Sequence, residues 1–243
     1  NMNYSRSLLR LVLIFTLVLG MGSCKERKMN ENPINKNKSA AEFLGHPEYR
    51  AISYGGYRTL TREDQPSLSQ IKEDLKILSA LGIKVIRTYN LQLDQAPNIL
   101  KAIRALKSED TGFEMYVMLG AWIDCQGAWI QSQPNHDKED QENNTLEITK
   151  AIALANQYPE IVKIIAVGNE AMVHWASSYF VRPAVILKWV SYLQTQKTKG
   201  NLPESLWITS SDNFASWGGG DASYHNEDLT ALIKAVDYIS IHT

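Results

Sequence analysis

Two cysteines occur in the chain, Cys24 and Cys125. If Cys24 is consumed by a leader, neither an intramolecular disulfide nor a cysteine-built metal site is possible. An excess of one charge is missing too. Lys and Arg number 25 against 26 Asp and Glu, a formal net charge of −1, which leaves no broad basic field for a nucleic acid. No apolar run is long: residues 11–19 fall well short of the roughly 20 residues a comfortable membrane-spanning helix needs. A glycine-rich phosphate turn is lacking after the first expected strand. WGGGD, at residues 217–221, follows the fifth strand and has the wrong spacing for a nucleotide fingerprint.

What is present begins with a leader. Arg6 and Arg10 precede the apolar run, and small residues then lead to Cys24, the layout of a secretory signal. Met21-Gly22-Ser23-Cys24 resembles a bacterial lipoprotein cleavage box, with Met where Leu is usual. The leading expectation is a signal peptide over residues 1–24 and a lipidated Cys24 that anchors the protein to a membrane. Plain secretion and an uncleaved anchor are the alternatives. All three put the body of the protein outside the cytoplasm, in or beyond the cell envelope. Residues 25–48 read as a polar tether, and the folded body is expected over residues 49–243.

In that body strand-like and helix-like segments alternate. Strands are expected at residues 51–57, 83–90, 113–122, 161–169, 206–212 and 238–243. Helices are expected at residues 67–82, 96–107, 145–158, 182–196 and 226–237. Ser67 and Gln70 can form a capping box, Gly82 closes that helix, Thr145 is the expected N-cap of the third, and Pro183 opens the fourth. Most strands are apolar runs, as in a parallel sheet covered by helices. Tyr54, Tyr89, Trp122, Glu170, Asp212 and His242 each end a strand. Such convergence favours a (β/α)8 TIM barrel over an open doubly wound sheet. Six of eight units are readable, so the expectation is an incomplete barrel that continues past Thr243.

The fourth strand, IVKIIAVGN, runs straight into Glu170. A carboxyl at the mouth of an apolar barrel is partly withdrawn from water, holds its proton nearer neutrality and can give it to a leaving oxygen. Asn169 beside it supplies an amide for a substrate hydroxyl. Tyr54, Asp212 and His242 are weaker candidates for hydroxyl contacts.

Three strand motifs, taken in order, resemble glycoside hydrolase family 17, the β-1,3-glucanase family, in its bacterial branch. They are AISYGGYR at residues 51–58, Gly82-Ile83 with Arg87-Thr88-Tyr89, and Gly168-Asn169-Glu170. The resemblance implies that Glu170 is the general acid/base, that Asn169 bonds the sugar 2-hydroxyl, and that Arg87 and Tyr89 hold the nucleophile carboxylate; Trp122 would be a sugar-stacking platform, its flat face against the C–H side of a pyranose, or is simply core. It implies no cofactor and no metal. The family's nucleophile, a glutamate in a Glu-Thr-Gly-Trp-like motif, has no counterpart in residues 1–243. The expectation is therefore a retaining β-1,3-glucanase whose residues 1–243 alone are inactive. A β-1,3-glucan transglucosylase and a non-catalytic glucan-binding lipoprotein are the competing readings.

His136, Asp137, Glu139 and Asp140 cluster as a metal site would, yet without helical ligand spacing, and a solvated loop is expected instead. Asn143-Asn144-Thr145 is a glycosylation sequon. His174 and Trp175, about one helical turn past Glu170, border the cleft or start the next helix.

Overall fold

The computed structural model describes residues 37–130 and 132–242. Cys24, the expected leader and the start of the expected tether lie outside them. None of the described helices is long and apolar enough to cross a membrane.

A short helix, α1 (Ala40–Phe43), precedes β1 (Arg50–Ser53). There follow α2 (Leu68–Ala80), β2 (Ile83–Arg87), α3 (Gln95–Glu109) and β3 (Tyr116–Ala121). A hairpin of β4 (Cys125–Gln126) and β5 (Asn135–Glu139) then leads into α4 (Gln141–Gln157) and β6 (Val162–Asn169). The remainder is α5 (Pro183–Thr198), β7 (Trp207–Asn213), α6 (Glu227–Ala235) and β8 (Ser240–His242).

Six strands form one all-parallel sheet in the order β1-β2-β3-β6-β7-β8. This corrects the expected TIM barrel. Closure requires every strand to have a neighbour on both sides, whereas among the described residues β1 and β8 each pair on one side only, so the sheet they form is open. The apolar runs were a sound guide to parallel pairing, because β3 is buried along its whole length and β6 at all but its last residue. They carry no information on closure.

Alternate residues of the central strands feed two apolar layers. Val117, Leu119, Ile165 and Val167 join the large core beneath the helices. Tyr116, Met118, Ile164 and Ala166 face the other way, against Phe43 and Tyr49. Phe43 is fully buried and stacks on Tyr116 with centroids 4.9 Å apart. The packed body thus starts before Tyr49, inside the segment read as tether.

The caps explain where the helices begin. Ser67 and Gln70 make the expected reciprocal bonds, and Gly82, at φ +79°, follows the last turn of α2. Asp140, rather than Thr145, caps α4 by accepting from the Asn143 amide at 3.1 Å. The Thr145 hydroxyl bonds inside the helix, to the Gln141 carbonyl at 2.6 Å.

The acidic stretch at residues 136–140 is ordered by protein partners. His136 stacks on Phe180 at 3.7 Å, Asp137 pairs with Arg182 at 2.8 Å, and Glu139 accepts from the Trp189 indole at 2.6 Å. Among the described residues no cluster of His, Cys, Asp or Glu is arranged to hold a metal ion.

Candidate active site

The end of β6 is distorted in a way that aims Asn169 and Glu170. Ala166 pairs with Thr209 and Asn169 with Ser211, so β6 carries one more residue than β7 over that step. A bulge of this kind re-aims the side chains that follow it. Gly168 takes it up at φ +80°, where an added Cβ would lie 2.8 Å from Ala171 Cβ. Glu170 itself is left-handed, at φ +47°, unusual for a residue with a side chain and a form of strain that clusters at functional sites. Its amide donates to the Ser211 carbonyl at 2.9 Å, which holds the turn.

Glu170 then faces a cavity of about 740 Å³. Asn169, Tyr89 and Asn90 surround it on the β2 and β6 side. Trp122, Trp129 and Tyr179 form an aromatic wall, and Gly55, Tyr57, Arg62, Gln92 and Trp175 complete the lining. Glu170 is the one carboxylate among these residues.

Charged and polar groups lock this floor from behind. The Arg87 guanidinium donates to Asn169 Oδ1 and lies 5.3 Å over the Tyr89 ring. Burial lowers the Arg87 pKa, and Tyr89 and Glu170 oppose that. His242 Nδ1 lies 3.2 Å from Glu170 Oε1, and its Nε2 is 2.8 Å from Ser211 Oγ. Burial and Arg87 push the imidazole below its ordinary range. A neutral ring serves both contacts, with Nδ1–H donating to Glu170 and Nε2 accepting from the Ser211 hydroxyl.

Asp212 is fully buried and does not line this cavity. Its two oxygens accept from the Met172 and Asn213 amides, each at 2.7 Å, and burial pushes its carboxyl up to about 6. It braces the backbone just after Glu170. Tyr54 is likewise turned away. Its hydroxyl donates to Asp74 at 2.6 Å, and Asp74 pairs with Arg58 at 2.7 Å. The structure thus brings Glu170, Asn169, Tyr89 and Trp122 to one cavity, with Arg87 and His242 directly behind, and leaves Tyr54 and Asp212 outside it.

Glu147 had no place in the sequence argument. Buried on α4, it accepts from the Leu91 amide at 2.9 Å and the Trp122 amide at 2.8 Å, tying the exits of β2 and β3 together. Burial pushes its carboxyl up to about 7. Trp129 and Tyr179 were missed as well. They sit in connections, and only the spacing of Trp129 seven residues after Trp122 offered a hint.

No family model matches the chain, and no curated protein matches it. Among solved structures it is similar to a protein described as an endo-laminarinase from Formosa Hel1_33_131. The two share 62% sequence identity with a TM-score of 0.83 over 85% of this chain and 52% of the other. The chain thus spans about half the length of the solved protein it matches.

Proposed function

We propose that these residues supply the cleft and the general acid/base of a glycoside hydrolase acting on β-1,3-glucan. The observation that carries the reading is Glu170, set on a left-handed backbone at a strand end and facing an aromatic-walled cavity beside Asn169. The 62% identity to an endo-laminarinase supports the choice of substrate. Membership of glycoside hydrolase family 17 belongs to the same proposal.

Glu170 donates its proton to the glycosidic oxygen as the bond from the anomeric carbon breaks. In a retaining reaction a second carboxylate, about 5–5.5 Å from the first, attacks that carbon, and Glu170 then takes a proton from the water that displaces that carboxylate. The single carboxylate in the cavity lining supports a nucleophile from outside residues 1–243. On this reading those residues alone do not turn over laminarin. Asn169 bonds the sugar 2-hydroxyl, and Arg87 and Tyr89 orient the nucleophile. A lipidated Cys24 would keep the cleft at the cell envelope.

The stereochemistry of the first product tests the mechanism. In a laminarin-hydrolysing protein that carries these residues, proton NMR of the earliest product shows the β-anomer. The α-anomer would contradict retention, and products longer than the substrate would mean that transfer competes with hydrolysis. Laminarin hydrolysis by residues 1–243 alone, at the rate of that protein, would contradict the external nucleophile.

A further inference from the structure

The aromatic wall of the cavity has a buried polar anchor. Asp124, two residues after Trp122, is 4% exposed. Its Oδ1 accepts from the Trp122 indole at 2.6 Å and from the Trp129 indole at 3.3 Å. One carboxylate oxygen therefore holds both rings. The rings lie 6.3 Å apart at 37° to each other, and Tyr179 packs against each, at 5.1 Å from Trp122 and 4.8 Å from Trp129. Asp124 is itself fixed by α4. Its amide donates to Asn144 Oδ1 at 2.9 Å, and its carbonyl accepts from Asn144 Nδ2 at 3.0 Å.

This arrangement has a cost that packing alone does not require. Withdrawing a carboxylate from water is unfavourable, and burial pushes the Asp124 carboxyl up to about 6. Trp129 is 60% exposed, so its ring is not fixed by burial. An exposed indole on a hairpin samples several rotamers unless its N–H is held, and a preset ring loses less entropy when a ligand stacks on it.

We propose that Asp124 is a positioning residue that sets the Trp122 and Trp129 rings as a preformed stacking wall for consecutive sugars. The choice of ligand rests on the β-glucan reading above; the orienting role does not.

Laminarihexaose binding and indole N–H NMR on residues 1–243 test this together. In Asp124→Leu, which keeps the branched shape and removes the acceptor, laminarihexaose binds about tenfold more weakly and the Trp122 and Trp129 N–H resonances move. Asp124→Asn, whose amide oxygen can accept from both indoles, stays within about threefold of the unaltered protein. A folded Asp124→Leu variant with unchanged affinity and unchanged resonances overturns the proposal. Should that variant fail to fold, hydrogen exchange in the unaltered protein decides. Slow exchange at both indoles supports the proposal, and exchange as fast as at the exposed Trp175 overturns it. If the unaltered protein does not bind laminarihexaose, the β-glucan reading fails, while the N–H resonances of Asp124→Leu still decide the role of Asp124.

Discussion

Glu170 and His242 meet at 3.2 Å across the end of β7, whose Ser211 bonds the far side of the imidazole. The side chain proposed as proton donor is therefore held from β8, two strands away in the sheet. Replacing His242 by Ala removes that hold without touching the cavity wall. In a laminarin-hydrolysing protein carrying these residues, we expect kcat to fall about tenfold with KM little changed, the pattern for a misaligned reacting group. Steady-state kinetics on laminarin checks this.

Gly168→Ala attacks the bulge. A left-handed φ costs a residue with a Cβ roughly 1–2 kcal/mol, and here that Cβ also lies 2.8 Å from Ala171. Chemical denaturation should show a loss of at least that size. Glu170, two residues on, should lose its alignment and activity with it.

The stability contributed by Glu147 should fall as pH rises from about 4.5 to 7. Burial raises Glu147 from its ordinary 4.5 to about 7, so within that window the native state keeps a proton that the unfolded chain gives up. The stability from this group is complete below 4.5 and is lost as pH climbs to 7. Its size is of order 3 kcal/mol, and Asp212, raised to about 6, acts in the same direction. Glu147→Gln can keep both amide bonds through one oxygen and should flatten the melting temperature against pH. A slope unchanged by the substitution would contradict this account.

Phe43→Ala should destabilise the body by about 3–5 kcal/mol, the usual loss for a fully buried phenylalanine. A true tether residue would change stability by less than about 0.5 kcal/mol. Thermal or denaturant unfolding separates the two outcomes.

The sequence spoke clearly where the pattern is local. The alternation of strand-like and helix-like segments located the six parallel strands described, and Gly168-Asn169-Glu170 placed the carboxyl at a strand end. It was silent where tertiary partners decide. Tyr54 and Asp212 end strands just as Glu170 does, yet one turns to Asp74 and the other to two backbone amides. The stretch NHDKE has no strand alternation and is held as β5 by pairing with Cys125 and Gln126. Phe43 lies in a polar stretch, and only distant residues of β3 and β6, Tyr116 foremost, give it a core to join. Sheet closure likewise depends on which edges meet, and no single strand encodes that.

Leaving-group dependence in Glu170→Gln tests the proton-donor claim most directly. Laminarin has a poor leaving group that needs the proton, whereas a dinitrophenyl β-laminaribioside does not. In a hydrolysing protein that carries these residues, we expect glycosyl transfer from laminarin to fall by about 10²–10⁴-fold, the usual worth of a positioned acid, and transfer from the activated substrate to fall far less. Equal losses on both substrates, or no loss on laminarin, would contradict the account.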